Sequence, residues 1–253
     1  QTSGQSVTFT ASGGNISFTD ASDTIQTSGG DIVMNASGTL SVGKMKTNGG
    51  NITLTGGDFS LSGALETGQG TLTILGVSGE TIGLDGITAG TTDTTVSTIC
   101  DSSACGLTLT QGELNFINAA KLVIGDSSSG GIYVDGVNTS HISGGITLNS
   151  SGPGGSVKFG AGGSTLKTAT INAGNGVAIN GNLTIIGPSV FNTDYDVNGT
   201  GTLTVAATKA LTASSISISA NDVDILGTIS SGADSTTIAV SDGGTIGLGG
   251  TAG

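Results

Sequence analysis

The chain has 253 residues, of which 47 are Gly, only 9% are charged and 3% are aromatic, and its formal charge of -12 comes with six Lys and no Arg. Such a field repels phosphate and argues against nucleic acid or an anionic membrane as partner. The absence of Trp and the scarcity of rings argue against a broad globular core or a stacking platform for bases, while a 35% hydrophobic content separates the chain from a disordered linker and suits a narrow aliphatic interior.

Taken from the start, Gln1 to Gly4 carry neither a basic nor an apolar leader, and no run of about 18 apolar residues follows anywhere. The sequence therefore predicts a soluble chain without membrane insertion, any secretion signal having been removed or lying outside it. A phrase then recurs: Gly14-Asn15-Ile16-Ser17-Phe18, Gly30-Asp31-Ile32-Val33-Met34, Gly50-Asn51-Ile52-Thr53-Leu54 and Gly70-Thr71-Leu72-Thr73-Ile74. Its first apolar residues fall at 16, 32, 52 and 72, a period characteristic of solenoids. Shorter alternating runs, such as Asp58-Phe59-Ser60-Leu61-Ser62 and Ala64-Leu65-Glu66, lie between the phrases, each bounded by Gly or by Gly with a polar neighbour. Three short strands and three turns per repeat predict an all-β parallel β-helix of roughly 16 to 22 residues per coil, about a dozen coils in all, as one continuous body over residues 1–253.

Further along, Cys100 and Cys105 flank four residues rich in Ser and Asp, a spacing that allows a small disulfide ring and an oxidising compartment. Free thiols are the alternative reading. Zinc is disfavoured because the only His is His141. Thr110 and Glu113 have capping-box spacing, which predicts one helical turn at a corner of the coil. Seven Asn-x-Ser/Thr sequons, at Asn15, Asn35, Asn51, Asn138, Asn149, Asn182 and Asn198, are glycosylation candidates if the chain traverses a glycosylating pathway. A longer period overlies the short one: residues 52–84 match 216–248 at an offset of 164, ending with Thr81-Ile82-Gly83-Leu84 against Thr245-Ile246-Gly247-Leu248. Residues Thr245 to Gly253 then read as the opening of a further section, as in one unit of an array.

Phrases such as Gly-Gly-Asn-Ile-Ser-Phe at 13–18 and Gly-Gly-Asn-Ile-Thr-Leu at 49–54 resemble the repeats of filamentous-haemagglutinin-type adhesins. The stretch from Thr81-Ile82-Gly83-Leu84 through Leu107-Thr108-Leu109-Thr110-Gln111-Gly112-Glu113-Leu114 to Ile132-Tyr133-Val134-Asp135-Gly136 resembles a repeat of very large surface proteins of bacteria and microalgae. The resemblance implies a secreted, right-handed β-helical shaft for attachment or reach at the cell surface. The Cys pair departs from the usual Cys-poor bacterial pattern. With the sequons it points to a eukaryotic source such as an alga, where flagellar hairs (mastigonemes) and wall fibres need similar shafts.

The expected function is thus a non-enzymatic, extracellular or cell-surface fibre segment without a cofactor, partnered by copies of itself end to end or laterally, and by glycans. A polysaccharide-active β-helix enzyme is the alternative; it would use carboxylate pairs such as Asp222 with Asp224 or Asp194 with Asp196, but the lack of Arg favours solvated acid pairs. Asp194, Asp196 and Asn198 also copy the first half of an EF-hand loop, with Val205 where the bidentate Glu belongs, so a weak calcium site competes with a plain turn. His141 is expected at the surface, and Gly154-Gly155 and Gly162-Gly163 at corners.

Overall fold

The computed structural model describes residues 4–20, 22, 24–85, 100 and 105–242. Within them, 28 short strands stack as a parallel β-solenoid of about nine coils of about 23 residues. Val, Ile and Leu alternate with Thr, Ser or Asn in these strands, so one set of side chains turns into a shared interior and the other turns out. Parallel pairing follows because each coil brings the chain back to the same side in the same direction.

The first side is one unbroken ten-stranded sheet. Its strands are β1 (Val7–Ala11), β4 (Ile32–Ala36), β7 (Ile52–Thr55), β10 (Thr71–Leu75), β14 (Lys121–Ile124), β16 (Ile146–Ser150), β19 (Ala169–Ala173), β22 (Pro188–Asn192), β25 (Ser215–Ala220) and β28 (Thr236–Val240). The second side holds a three-stranded sheet, β2 (Ile16–Phe18), β5 (Thr39–Val42) and β8 (Asp58–Leu61). It continues as a seven-stranded sheet in the order β12 (Leu107–Leu109), β11 (Thr81–Leu84), β15 (Gly131–Val134), β17 (Val157–Phe159), β20 (Val177–Ile179), β23 (Thr202–Val205) and β26 (Asp222–Ile225). The third side has two four-stranded sheets: β3 (Thr24–Gln26), β6 (Lys44–Lys46), β9 (Leu65–Glu66) and β13 (Ile117–Asn118), then β18 (Ser164–Leu166), β21 (Leu183–Ile185), β24 (Ala210–Thr212) and β27 (Thr228–Ser230).

Two expectations from the sequence are corrected here. Coils are longer and fewer than expected, because register partners on the first side also lie 24, 23 and 27 apart, as in Leu122 with Ile146, Ile146 with Ala169 and Ser189 with Ile216. The phrase at 14–18 is also not equivalent to those at 30, 50 and 70. Ile32, Ile52 and Leu72 do stack on one another, but Ile16 stacks on Leu40 of the second side, and Ile32 instead lies over Val7.

Among the described strands the order is broken once. β11 precedes β12 in the chain yet lies between β12 and β15, pairing Ile82 with Leu107 on one edge and with Ile132 on the other. The chain thus places a strand one level ahead and later returns to fill the level beneath it. β12 packs beside β8, where side chains bridge the gap between the two sheets: Thr108 N donates to Asp58 Oδ1 at 3.1 Å and Leu61 N to Glu113 Oε1 at 3.0 Å.

The interior is apolar and mostly aliphatic, with Ile32, Ile52, Leu72, Leu122, Ile132, Leu148 and Ile171 among the fully buried residues and Phe159 and Phe191 buried among them. At about 2 kcal/mol per buried aliphatic side chain, this column is the main source of stability. Corners between the third and first sides are built from buried Thr. Thr47 Oγ1 donates to Gly50 O at 2.5 Å and Thr67 Oγ1 to Gly70 O at 2.6 Å, and Thr27 makes the same bond to Gly30 O. Gly50 must be glycine, since a Cβ there would collide with the Gly30 carbonyl of the coil below.

Candidate functional site

Outward-facing side chains are the only ones that can meet a ligand, and the register places each on a defined side. On the ten-stranded sheet one outward column runs Thr8, Val33, Thr53, Thr73, Val123, Thr147, Thr170, Val190, Ser217, Thr237. Nine of these ten are β-branched, and none is charged. Beside it runs a second column containing Thr10, Asn35 and Thr55 at one end and Asn149, Asn172, Asn192 and Ser219 at the other. In its upper part the amides form a ladder, Asn172 Nδ2 donating to Asn149 Oδ1 at 3.2 Å and Asn192 Nδ2 to Asn172 Oδ1 at 2.7 Å. The sequence already carried this ladder as Asn at intervals of 23 and 20, a signal that strand patterning alone passes over.

A related device ties the coil corners together. Ser6 Oγ accepts from Asp31 N at 3.0 Å, Asp31 Oδ1 from Asn51 N at 2.7 Å and Asn51 Oδ1 from Thr71 N at 2.9 Å, so each coil's side chain satisfies the backbone of the next. Asn15 and Asn182 do the same for Thr39 N and Ala210 N. In these Asn residues the oxygen is engaged, leaving Nδ2, the atom that a glycan would occupy, directed elsewhere.

The seven sequons divide by side. Asn15, Asn51, Asn138, Asn182 and Asn198 are exposed at corners or turns, whereas Asn35 and Asn149 are half-buried in strands of the ten-stranded sheet. Cys100 and Cys105 are joined as a disulfide with Cα atoms 4.5 Å apart, and both are buried against Tyr133. Tyr133 points outward from β15 yet is fully buried, which places the cysteine pair over the outer surface of that strand.

The loop after β22 is closed on itself. Asp194 is buried, its Oδ1 accepting from Asn198 N at 3.0 Å and its Oδ2 from Ser241 Oγ at 2.6 Å, while Asp196 Oδ2 accepts from Asn198 Nδ2 at 2.8 Å. Asn198 Oδ1 in turn takes the Thr200 amide at 2.9 Å, and Val197 adopts a positive φ of 53°. These contacts are those of an Asx-type turn; both Asp194 oxygens and Asp196 Oδ2 are engaged within the chain, while Asp196 Oδ1 is buried without a hydrogen-bond partner among the described residues. Among the described residues no three His, Cys, Asp or Glu side chains gather as a metal cluster.

The other acid pair, Asp222 and Asp224, stands exposed on the outer face of β26. Two shallow grooves, of about 250 and 300 Å³, lie elsewhere and are lined by Gly, Ser, Thr, Asn, Val, Ala and Lys158, with no carboxylate. His141 is exposed in a turn. Glu80 holds its proton more tightly than an ordinary carboxyl: burial lifts its pKa above 4.5, the Val77 amide opposes this, and the Asp58 carboxylate adds to it. No helix among the described residues is long and apolar enough to cross a membrane.

No family model, curated protein or solved structure matches the chain. The fold therefore stands on its own geometry. Residues 245–248, the last part of the sequence match at offset 164, and the further section starting at 245 lie outside the described residues. Over the part that is described, β7, β8, β9 and β10 run through the three sides in the same order as β25, β26, β27 and β28.

Proposed function

We propose that this chain is a non-enzymatic shaft segment of a long extracellular or cell-surface fibre, adhesive or structural in role. The observation that carries the reading is the in-register stack itself. Ten strands of the first side keep parallel register from Val7 to Val240, and a solenoid in which each coil contacts only its neighbours is lengthened by adding coils, which is what a shaft requires. Exposed sequons and a Cys100–Cys105 bridge suit passage through an oxidising, glycosylating route. The shaft of an algal flagellar hair or wall fibre is one setting for such a segment.

Electron microscopy of the native material tests this. Long filaments with a regular axial repeat are expected. Dispersed particles that cleave a polysaccharide would replace the reading with the enzyme alternative.

A further inference from the structure

The charge of -12 makes most approaches between two copies of this chain repulsive. On the second side, Asp58, Asp222 and Asp224 sit in or beside the outer columns, and on the third Lys44, Lys46 and Glu66 do, with Lys46 paired to Glu66 at 3.0 Å. The ten-stranded side differs. Its two central outward columns, running from Thr8 to Thr237 and from Thr10 to Ala239, hold no charged residue; Asp31 and Lys121 stand only in the column at their rim.

Side chains there are short and mostly β-branched, which gives an even surface whose methyl groups interdigitate well. Ten strands at a spacing of about 4.8 Å make this surface roughly 43 Å long, and strands of four to five residues make it about 12 Å wide. Two such faces would bury on the order of 1,000 Å² in total, the lower bound for a specific interface. Near its middle, Thr147 is 8% exposed and its hydroxyl has no hydrogen-bond partner, so part of the cost of drying this face is already met within the single chain.

We propose that the outer face of the ten-stranded sheet is a lateral contact surface for a second copy of this chain, packed sheet to sheet. The proposal deepens the fibre reading and rests on it for its biological sense: it names the side by which shafts bundle. Two of the seven sequons, Asn35 and Asn149, lie on this face, and both are half-buried, whereas the five exposed ones lie off its central columns. Those five stand at corners and turns, Asn51 being in the rim column with Asp31 and Lys121.

Sedimentation of the full chain over a range up to hundreds of micromolar, at low salt and at about 0.5 M salt, tests the proposal. Self-association is expected, strengthened by salt as the like charges are screened. Thr53→Lys with Thr170→Lys should weaken it tenfold or more, because an isologous contact would then bring like charges together. Ser41→Lys, on the second side, should leave it unchanged. Val123→Cys, at the fifth of ten strands, should form cross-linked dimers that Ser41→Cys does not.

Monomers at every concentration, or association that survives the double Lys variant, would overturn the proposal. So would a monomer that co-sediments with cellulose and loses this with the Lys pair, since the face would then belong to a polymer. Occupied glycans at Asn35 and Asn149 would overturn it as well. The two readings fail separately: filaments without side-to-side contact remove the lateral face and keep the fibre, whereas dimers through this face without filaments do the reverse.

Discussion

Glu113 Oε1 accepts the Leu61 backbone amide at 3.0 Å across 52 residues of chain, while Oε2 of the same carboxylate takes Thr110 N at 2.9 Å. One side chain therefore completes the capping box of α1 (Gln111–Leu114) and closes the free edge of β8, where the second side changes from one sheet to the next. Glu113→Ala should cost about 2 to 3 kcal/mol, the sum of a lost cap and an orphaned strand amide. Glu113→Gln should recover more than half of that, because its one carbonyl oxygen still accepts. Denaturant titration of the three proteins reads the difference.

The capping box was legible because Thr110 and Glu113 are neighbours in sequence. The bond to Leu61 was not, since nothing local says that β12 falls back beneath β11. Stacking order is a property of the coil as a whole, and strands 81–84 and 107–109 carry the same alternation whichever lies uppermost. The same limit explains the phrase at 14–18: its Gly-Asn-Ile motif fits a strand start on any side, and only the number of residues in the first coil assigns it to the second. The column through 32, 52 and 72 was readable because three successive coils keep a spacing of 20.

Gly50 and Gly13 separate packing from composition. A methyl group at Gly50 meets the Gly30 carbonyl, and at Gly13 it meets nothing within 4 Å. Gly50→Ala should destabilise by about 2 kcal/mol or more as the corner shifts, and Gly13→Ala should stay within about 0.5 kcal/mol of the parent. Thermal unfolding followed by circular dichroism suffices; equal effects would mean that the glycine column is not a steric requirement.

Two buried threonines should respond in opposite directions to the same change. Thr47 donates its hydroxyl to Gly50 O, so Thr47→Val should cost about 1 kcal/mol. Thr147 has a hydroxyl that is desolvated and unpartnered, so Thr147→Val should be neutral or stabilising by up to about 1 kcal/mol. The comparison is internal to one protein and one substitution type, so common errors in the denaturation analysis cancel.

Glycan occupancy should follow the register. Asn15, Asn51, Asn138, Asn182 and Asn198 are exposed and should be modified in material from a glycosylating host, whereas Asn35 and Asn149 sit half-buried in parallel strands. Peptide mapping before and after enzymatic deglycosylation would resolve the sites. A glycan at Asn149 would require its amide to leave the ladder to Asn172.

Glu80 gives the pH dependence a definite sign. Burial and the nearby Asp58 hold its pKa above the ordinary 4.5, so the folded chain binds this proton more tightly than the unfolded chain does. Its contribution to stability is therefore greatest below pH 4.5 and is lost as the pH rises through the elevated folded value. Glu80→Gln should remove that slope and leave the protein as stable as the parent, or more so, at pH 7. The side chain is only partly buried, so the gain should be less than about 1 kcal/mol. Gln keeps an oxygen for the Val77 amide, which Glu80 accepts at 3.1 Å, so the turn at 77–80 should persist. Melting temperatures of both proteins from pH 4 to 7 would test this: a parallel pair of curves would mean that the carboxylate is no more costly in the coil than in the unfolded chain.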